Sequence, residues 1–453
     1  MELMINHEGS RLVKRAEGIR LYLQDPEDSN REIECIDASG GPAVVALGQG
    51  NKEVIEAIVS QLKQIPYCSS QFGTPEIVPK FAEWVLNTTI KDGQMQMTNV
   101  YVGQDGSGAT EGMMKYVIQR NYMRGEKQRV EFIGLDCSYH GATLGALSVG
   151  GYPERQEHFK GYLKNFPKVK GYDGLSADSD NPNYVKRLIQ ELDNKFEELK
   201  VDGRDTVAAF VIEPVVGAAL GCVMSPKEYF QGVREVCHRH GALLVFDEVM
   251  CGMGRTGTMH AWQQPDIGVV PDIQTFGKAL GGGYVPVAGF MVKANIAKEF
   301  NETSPFFTHG HTYDGYPGGL AGGLAIGKQI EKFVGDGTIT KLGNQLEELL
   351  KRFKDYWFVK GVSGIGLFHG IRFHDRKTKD ENGHEKSPHA EAISQKSGTQ
   401  KHPILVYQGR KCLIVSPAYT TMSEEISEIV RLLTNLFKDY EEELTAQGEI
   451  RET

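Results

Sequence analysis

Through the middle of the chain, short apolar runs alternate with stretches of helical period. Val130-Glu-Phe-Ile-Gly134, Val207-Ala-Ala-Phe-Val-Ile212, Ala242-Leu-Leu-Val-Phe246 and Val287-Ala-Gly-Phe-Met-Val292 read as short buried strands. Between two of them the spacing predicts a helix over 226–240. Phe230, Val233, Val236, Cys237 and His240 share one face, Ser225 stands as N-cap, Pro226 takes the first turn and Gly241 stops it. A second helix is expected from about Ala109 to Arg124, opened by a glycine-rich turn. Strands alternating with helices, each strand apolar throughout, predict an α/β fold with a mostly parallel sheet covered on both faces.

Beyond residue 330 the pattern changes. Leu342–Tyr356 and Ser423–Glu443 read as long, charged, amphipathic helices, and Phe368–Phe373 and Cys412–Ser416 as strands. Asp375 to His402 is polar and shows no period, so a long exposed loop is expected, of a length that suggests function. The expected division is 61–330 as a large domain and 331–453 as a smaller C-terminal α+β domain, with 1–60 joining the latter.

Composition narrows the function classes. The chain has 453 residues, with 50 Lys plus Arg against 59 Asp plus Glu, a formal charge of −9 that fits poorly with nucleic-acid binding. Hydrophobic residues at 40% and charged residues at 24% are values of a folded globular protein and argue against disorder. No apolar run reaches the roughly 20 residues of a membrane span. Seven scattered cysteines without a C-x-x-C pair suit a reducing compartment, and the N-terminus lacks a secretory pattern, so a cytoplasmic protein is expected.

Four clusters carry chemistry. Gly103-Gln-Asp-Gly-Ser-Gly108 runs into a helix, where exposed N–H groups and the helix dipole favour a phosphate; alone, it is equally a tight turn capping that helix. Asp247 ends a buried strand, where α/β proteins bind ligands, or simply caps the next element. Lys278, in Gln274-Thr-Phe-Gly-Lys278-Ala-Leu-Gly-Gly-Gly283, is followed by Ala rather than Ser or Thr, so a P-loop is excluded. A partly buried lysine of lowered pKa acts as a Schiff-base nucleophile, while a lysine in a surface loop does nothing of the kind. Tyr139, in Ser138-Tyr-His-Gly141, is an aromatic platform beside a glycine turn. His140 and His311 read as hydrogen-bonded structural residues. Phosphate cradle, platform, buried acid and lysine together are what pyridoxal phosphate requires, and no metal cluster or serine triad competes.

The runs Phe246–Gly257 and Asp272–Gly283 then resemble the class III pyridoxal-phosphate-dependent aminotransferases. Ile212-Glu-Pro-Val-Val-Gly217, Tyr139-His-Gly-Ala-Thr143 and His311-Thr-Tyr-Asp-Gly-Tyr-Pro317 match in the same order. The resemblance spans about residues 30–440. It implies a fold-type-I enzyme, a large domain around a mostly parallel seven-stranded sheet, and a homodimer with shared active sites. It further implies Lys278 as the internal-aldimine lysine and proton shuttle, Asp247 at the pyridine nitrogen, and Val249 and Tyr139 on the two ring faces. Gly106 and Ser107 would cradle the phosphate, with Thr312 reaching it from the neighbouring subunit. His140 and Glu213 complete the cofactor site, Glu213 on the substrate side.

Departures from the family pattern bear on substrate. Asp105 would stand beside a phosphate and repel it, so it is expected to point away. Met250 replaces a glutamine near the ring hydroxyl. Acetylornithine and ornithine enzymes carry arginines where this chain has Ala142 and Ile414, so both carboxylate forks are missing. The expected activity is transfer of an amino group from an amine, ω-amino or long-chain amino donor to a keto acid such as pyruvate or 2-oxoglutarate. Arg410 is the expected movable clamp for the acceptor carboxylate. The alternative is a racemase, decarboxylase, aminomutase or phospho-lyase using the same cofactor and fold.

Overall fold

The computed structural model describes residues 11–304, 306–376 and 387–449. At its centre is a seven-stranded sheet in the order Met97–Gly103, Ala288–Lys293, Ile273–Phe276, Leu243–Asp247, Val207–Ile212, Glu131–Leu135, Lys168–Val169. Every neighbouring pair is parallel except the two made by Ala288–Lys293, which runs against both its neighbours. The sequence expectation of a mostly parallel α/β sheet is met.

Because successive side chains point to opposite faces, these strands divide their apolar residues between two cores. Phe210, Ile212, Leu244 and Phe246 pack beneath helices Tyr184–Glu198 and Lys227–Arg239, with Leu188, Phe230 and Val233. Val211, Val245 and Ile273 face the opposite way, against Met113, Val117 and Phe300 of helices Gly106–Met123 and Ala294–Thr303. Burial on both faces is why the runs are continuous rather than alternating. The helix expected over 226–240 begins at Lys227: Pro226 occupies the cap position, and no side chain, Ser225 included, caps it. Gly241, at φ +63, ends it.

Two smaller sheets flank this layer. Val13–Glu17, Arg20–Gln24 and Glu32–Asp37 form an antiparallel meander whose last strand pairs in parallel with Ile404–Leu405. Val359–Ile365, Phe368–Phe373, Cys412–Val415 and Tyr407–Gln408 form the other, and Ser423–Ala446 packs against Thr338–Leu350. Helix Pro317–Gly335 runs unbroken through residue 330 and shares one core with these helices. The stretch from 375 to 402 is not all loop. His389–Lys396 is a helix seated on buried His389, Ala390 and Ile393, three positions too few to show a period in the sequence; residues 377–386 lie outside those described.

Candidate active site

All parallel strands but the edge strand Lys168–Val169 deliver their following residues to one end of the sheet, the carboxyl end, where open α/β sheets bind ligands. Asp105, Gly106 and Ser107 follow Met97–Gly103; Tyr139 and His140 follow Glu131–Leu135. Glu213 follows Val207–Ile212, Asp247 closes its own strand, and Lys278 follows Ile273–Phe276. These residues line a single cavity of about 170 Å³, together with Gly141, Ala218, Val249 and Met250. Eight of the ten residues expected at the site therefore meet in one place. Thr312 is exposed outside the cavity. Arg410 is also outside: its guanidinium donates to Glu154 at 2.8 Å and lines a neighbouring cavity.

Asp247 is built to remain ionised. One carboxylate oxygen accepts from the Thr275 hydroxyl at 2.8 Å and the Val249 N–H at 3.0 Å; the other meets His140 Nδ1 at 2.7 Å. Burial alone would raise this carboxyl, but these hydrogen bonds, His140 first, hold it below the ordinary carboxylate range. His140 is itself buried, and its other ring nitrogen, Nε2, has no hydrogen-bond partner. Glu213 accepts from the Tyr139 and Gly217 N–H groups at 2.9 and 3.1 Å, and burial raises its pKa. Burial pushes the Lys278 ammonium the other way, below its usual value, which favours the neutral amine. Lys278 also sits at φ +41, a left-handed conformation costly for a lysine and characteristic of functional sites.

The glycine cluster is a close-packed junction. A Cβ on Gly106 would lie 2.7 Å from Val249 Cγ1, and one on Gly141, at φ +135, would lie 2.8 Å from the Ser107 Cα. The Ser107 hydroxyl accepts from the Ala142 N–H at 3.0 Å. Asp105, expected to point away, instead borders the cavity while engaged in the backbone. It is the N-cap of helix Gly106–Met123, its carboxylate accepting from the Gly108 N–H at 2.9 Å.

The chain matches the family described as Aminotransferase class-III over residues 4–437. It belongs to the class-III aminotransferases. An aminotransferase of Gibberella zeae is 36% identical over 414 residues, covering 87% of this chain and 78% of the relative. An acetylornithine aminotransferase of Clostridium acetobutylicum is 31% identical over 359 residues, covering 79% and 82%. Among solved structures, the ω-transaminase of Pseudomonas jessenii in complex with PMP superposes with a TM-score of 0.86 at 25% identity, covering 99% of this chain and 97% of that one. The fold is therefore that of fold-type-I transaminases, and the chain is an enzyme.

Family membership implies pyridoxal phosphate, and the aminotransferase cavity fits it by its own chemistry. It holds a buried, ionised carboxylate, a lysine poised toward the neutral amine, and a helix N-terminus whose first N–H groups have no intrahelical acceptor. The absent Cβ at Gly106 lets Val249 pack directly against that N-terminus. Two residues of this constellation escaped the sequence reading. Thr275 reaches Asp247 because parallel pairing sets the two opposite each other, a register the sequence does not display. Arg155 lies over the Tyr139 ring, 5.1 Å from its centroid, and carried no signal beyond following Pro153 and Glu154.

Proposed function

We propose that this aminotransferase moves an amino group from a primary amine, an ω-amino compound or a long-chain amino donor to a keto acid, using pyridoxal phosphate. The observation that carries the reading is the cavity that brings Lys278, pushed toward its neutral form, together with the ionised Asp247. When bound, the cofactor supplies an electrophilic carbonyl carbon and a conjugated ring that accepts the electrons of a broken bond. Asp247 would hold the ring nitrogen and keep it protonated, with His140 and Thr275 keeping Asp247 charged. Gly106 and Ser107 would hold the phosphate, and Val249 and Tyr139 the two ring faces. The Lys278 amine would take a proton from the substrate carbon and return it, a role toward which its lowered pKa inclines it. Glu213, anchored by two backbone N–H groups, borders the space left for substrate.

The donor class follows from missing charge. Ala142 has no cation to offer, and Ile414 is wholly buried in the core that contains Met250 and Phe368, so neither position grips an α-carboxylate. The likeness to an ω-transaminase supports the same reading. A homodimer would bring Thr312 of a second copy to the phosphate. Tyr67 and Tyr313, in edge contact at 5.9 Å, are about half exposed, and Phe72 is 87% exposed; exposed aromatics of this kind are what subunit contacts cover. The division into 1–60, 61–330 and 331–453 belongs to the same proposal, as does a cytoplasmic location, which the seven free cysteines support. Among the described residues no helix is long and apolar enough to cross a membrane.

The test is stoichiometry. With an ω-amino donor and pyruvate or 2-oxoglutarate, one amino acid should form for each amine consumed, with ping-pong kinetics. Consumption of the amine without an acceptor would favour lyase, decarboxylase or racemase chemistry instead.

A further inference from the structure

Past Tyr139 the chain forms helix Leu144–Val149, then turns back through Gly150 and Gly151 to Tyr152. Pro153 opens a single helical turn, Pro153–Gln156. The Gln156 amide pins that turn, donating to the Leu147 and Gly150 carbonyls, both at 2.8 Å. Arg155 is thereby set beside two tyrosines that meet edge-on at 6.1 Å, its guanidinium carbon 5.1 Å from the centroid of Tyr139 and 5.3 Å from that of Tyr152. Tyr139 lines the Lys278 cavity. The charge of Arg155 is felt there: the Lys278 amine, lowered chiefly by burial, is lowered further by it.

The arginines and Lys411 of the neighbouring cavity are spoken for. Arg410 pairs with Glu154, Lys411 with Asp375 and Arg372 with Asp173. Among the described residues no carboxylate pairs with Arg155. A guanidinium resting on aromatic rings keeps a planar fork of N–H groups in a fixed setting, and such a fork matches a carboxylate with two parallel hydrogen bonds. We propose that Arg155, held between Tyr139 and Tyr152, binds the carboxylate of the keto-acid acceptor at the mouth of the Lys278 cavity. The assignment rests on the aminotransferase reading above. It gives Arg410, expected from the sequence to do this work, the lesser part of fixing the neighbouring turn through Glu154. Because Arg155 is exposed, its fork stays open to a carboxylate arriving from solvent.

The experiment compares wild type, Arg155→Gln and Arg410→Gln, each loaded with pyridoxal phosphate. Binding of glutarate, an unreactive dicarboxylate, is measured by calorimetry and needs no turnover. Arg155→Gln should weaken it by about tenfold to a hundredfold, the worth of a charge-assisted pair, and Arg410→Gln by less than about threefold. In turnover, Arg155→Gln should raise KM for pyruvate and 2-oxoglutarate by a similar factor. With an uncharged aldehyde acceptor KM should change far less than with the keto acids, and an unchanged melting temperature shows the variant to be folded. Unchanged glutarate binding in Arg155→Gln, or selective loss in Arg410→Gln, would overturn the assignment. A wild-type protein that binds glutarate through Arg155 yet transfers no amino group would contradict the aminotransferase reading and leave the arginine site standing.

Discussion

Three donors converge on the carboxylate of Asp247, and two of them come from elements far away in the sequence. Replacing it with alanine would strip His140 Nδ1 of its only partner while Nε2 already has none. A buried polar group left unpaired costs about 1–3 kcal/mol, so Asp247→Ala should lower the melting temperature measurably. Asp247→Asn keeps the shape and some of the hydrogen bonds but loses the charge. It should remain folded while amino transfer slows by about a hundredfold or more, the scale of removing one aligned electrostatic contact. Differential scanning calorimetry and single-turnover rates separate the two effects. Asp247 and Lys278 were legible in the sequence because their residue types, their order and their surrounding runs identify them without any contact map. Thr275 was not, since an ordinary threonine becomes a partner only through strand register. The pairing of Arg410 with Glu154 was not legible for a related reason, since it joins segments distant in sequence.

Among the elements, helix Gly106–Met123 shows how one residue can be read with the wrong sign. A carboxylate beside a phosphate cradle looks repulsive, yet Asp105 is the N-cap that satisfies the Gly108 N–H, and being exposed its charge is screened. Asp105→Ala should therefore destabilise the protein by about 1 kcal/mol, and Asp105→Asn, which can still cap, by much less. Chemical denaturation of both variants measures this; equal stabilities would dismiss the cap. The long elements were legible because two-sided burial gives strands continuous apolar runs and one-sided burial gives helices a stripe. The helix His389–Lys396 was hidden because only one of its faces is buried, over little more than one turn.

The whole molecule carries a titration that no single motif announces. Burial pulls His260 down to about 3 and His369 and His389 to about 4. In the unfolded chain each would titrate near its ordinary value of about 6.5. As pH falls from about 6.5 to 4, the unfolded chain binds protons that the folded one refuses, so the stability these groups contribute is full above about 6.5 and drains away below it. Asp247, held below the usual range, adds a further loss below about pH 4. The melting temperature should fall as the pH drops from about 6.5 toward 4; a flat profile would show that the folded histidines take up protons as readily as those of the unfolded chain. At this scale the class of fold was legible from alternating patterns, but the order of the seven strands was not. Neither was the antiparallel course of Ala288–Lys293, because both depend on pairings between distant segments.

The central claim is that Lys278 and Asp247 serve amino transfer through pyridoxal phosphate. Its most direct test is the visible absorption spectrum of the purified protein, before and after an ω-amino donor is added without any keto acid. A yellow band is expected that depends on Lys278, bleaches with the amine alone, and returns when pyruvate or 2-oxoglutarate follows. A band that persists while amine is consumed would contradict transamination. No band even with pyridoxal phosphate supplied would contradict the role of Lys278.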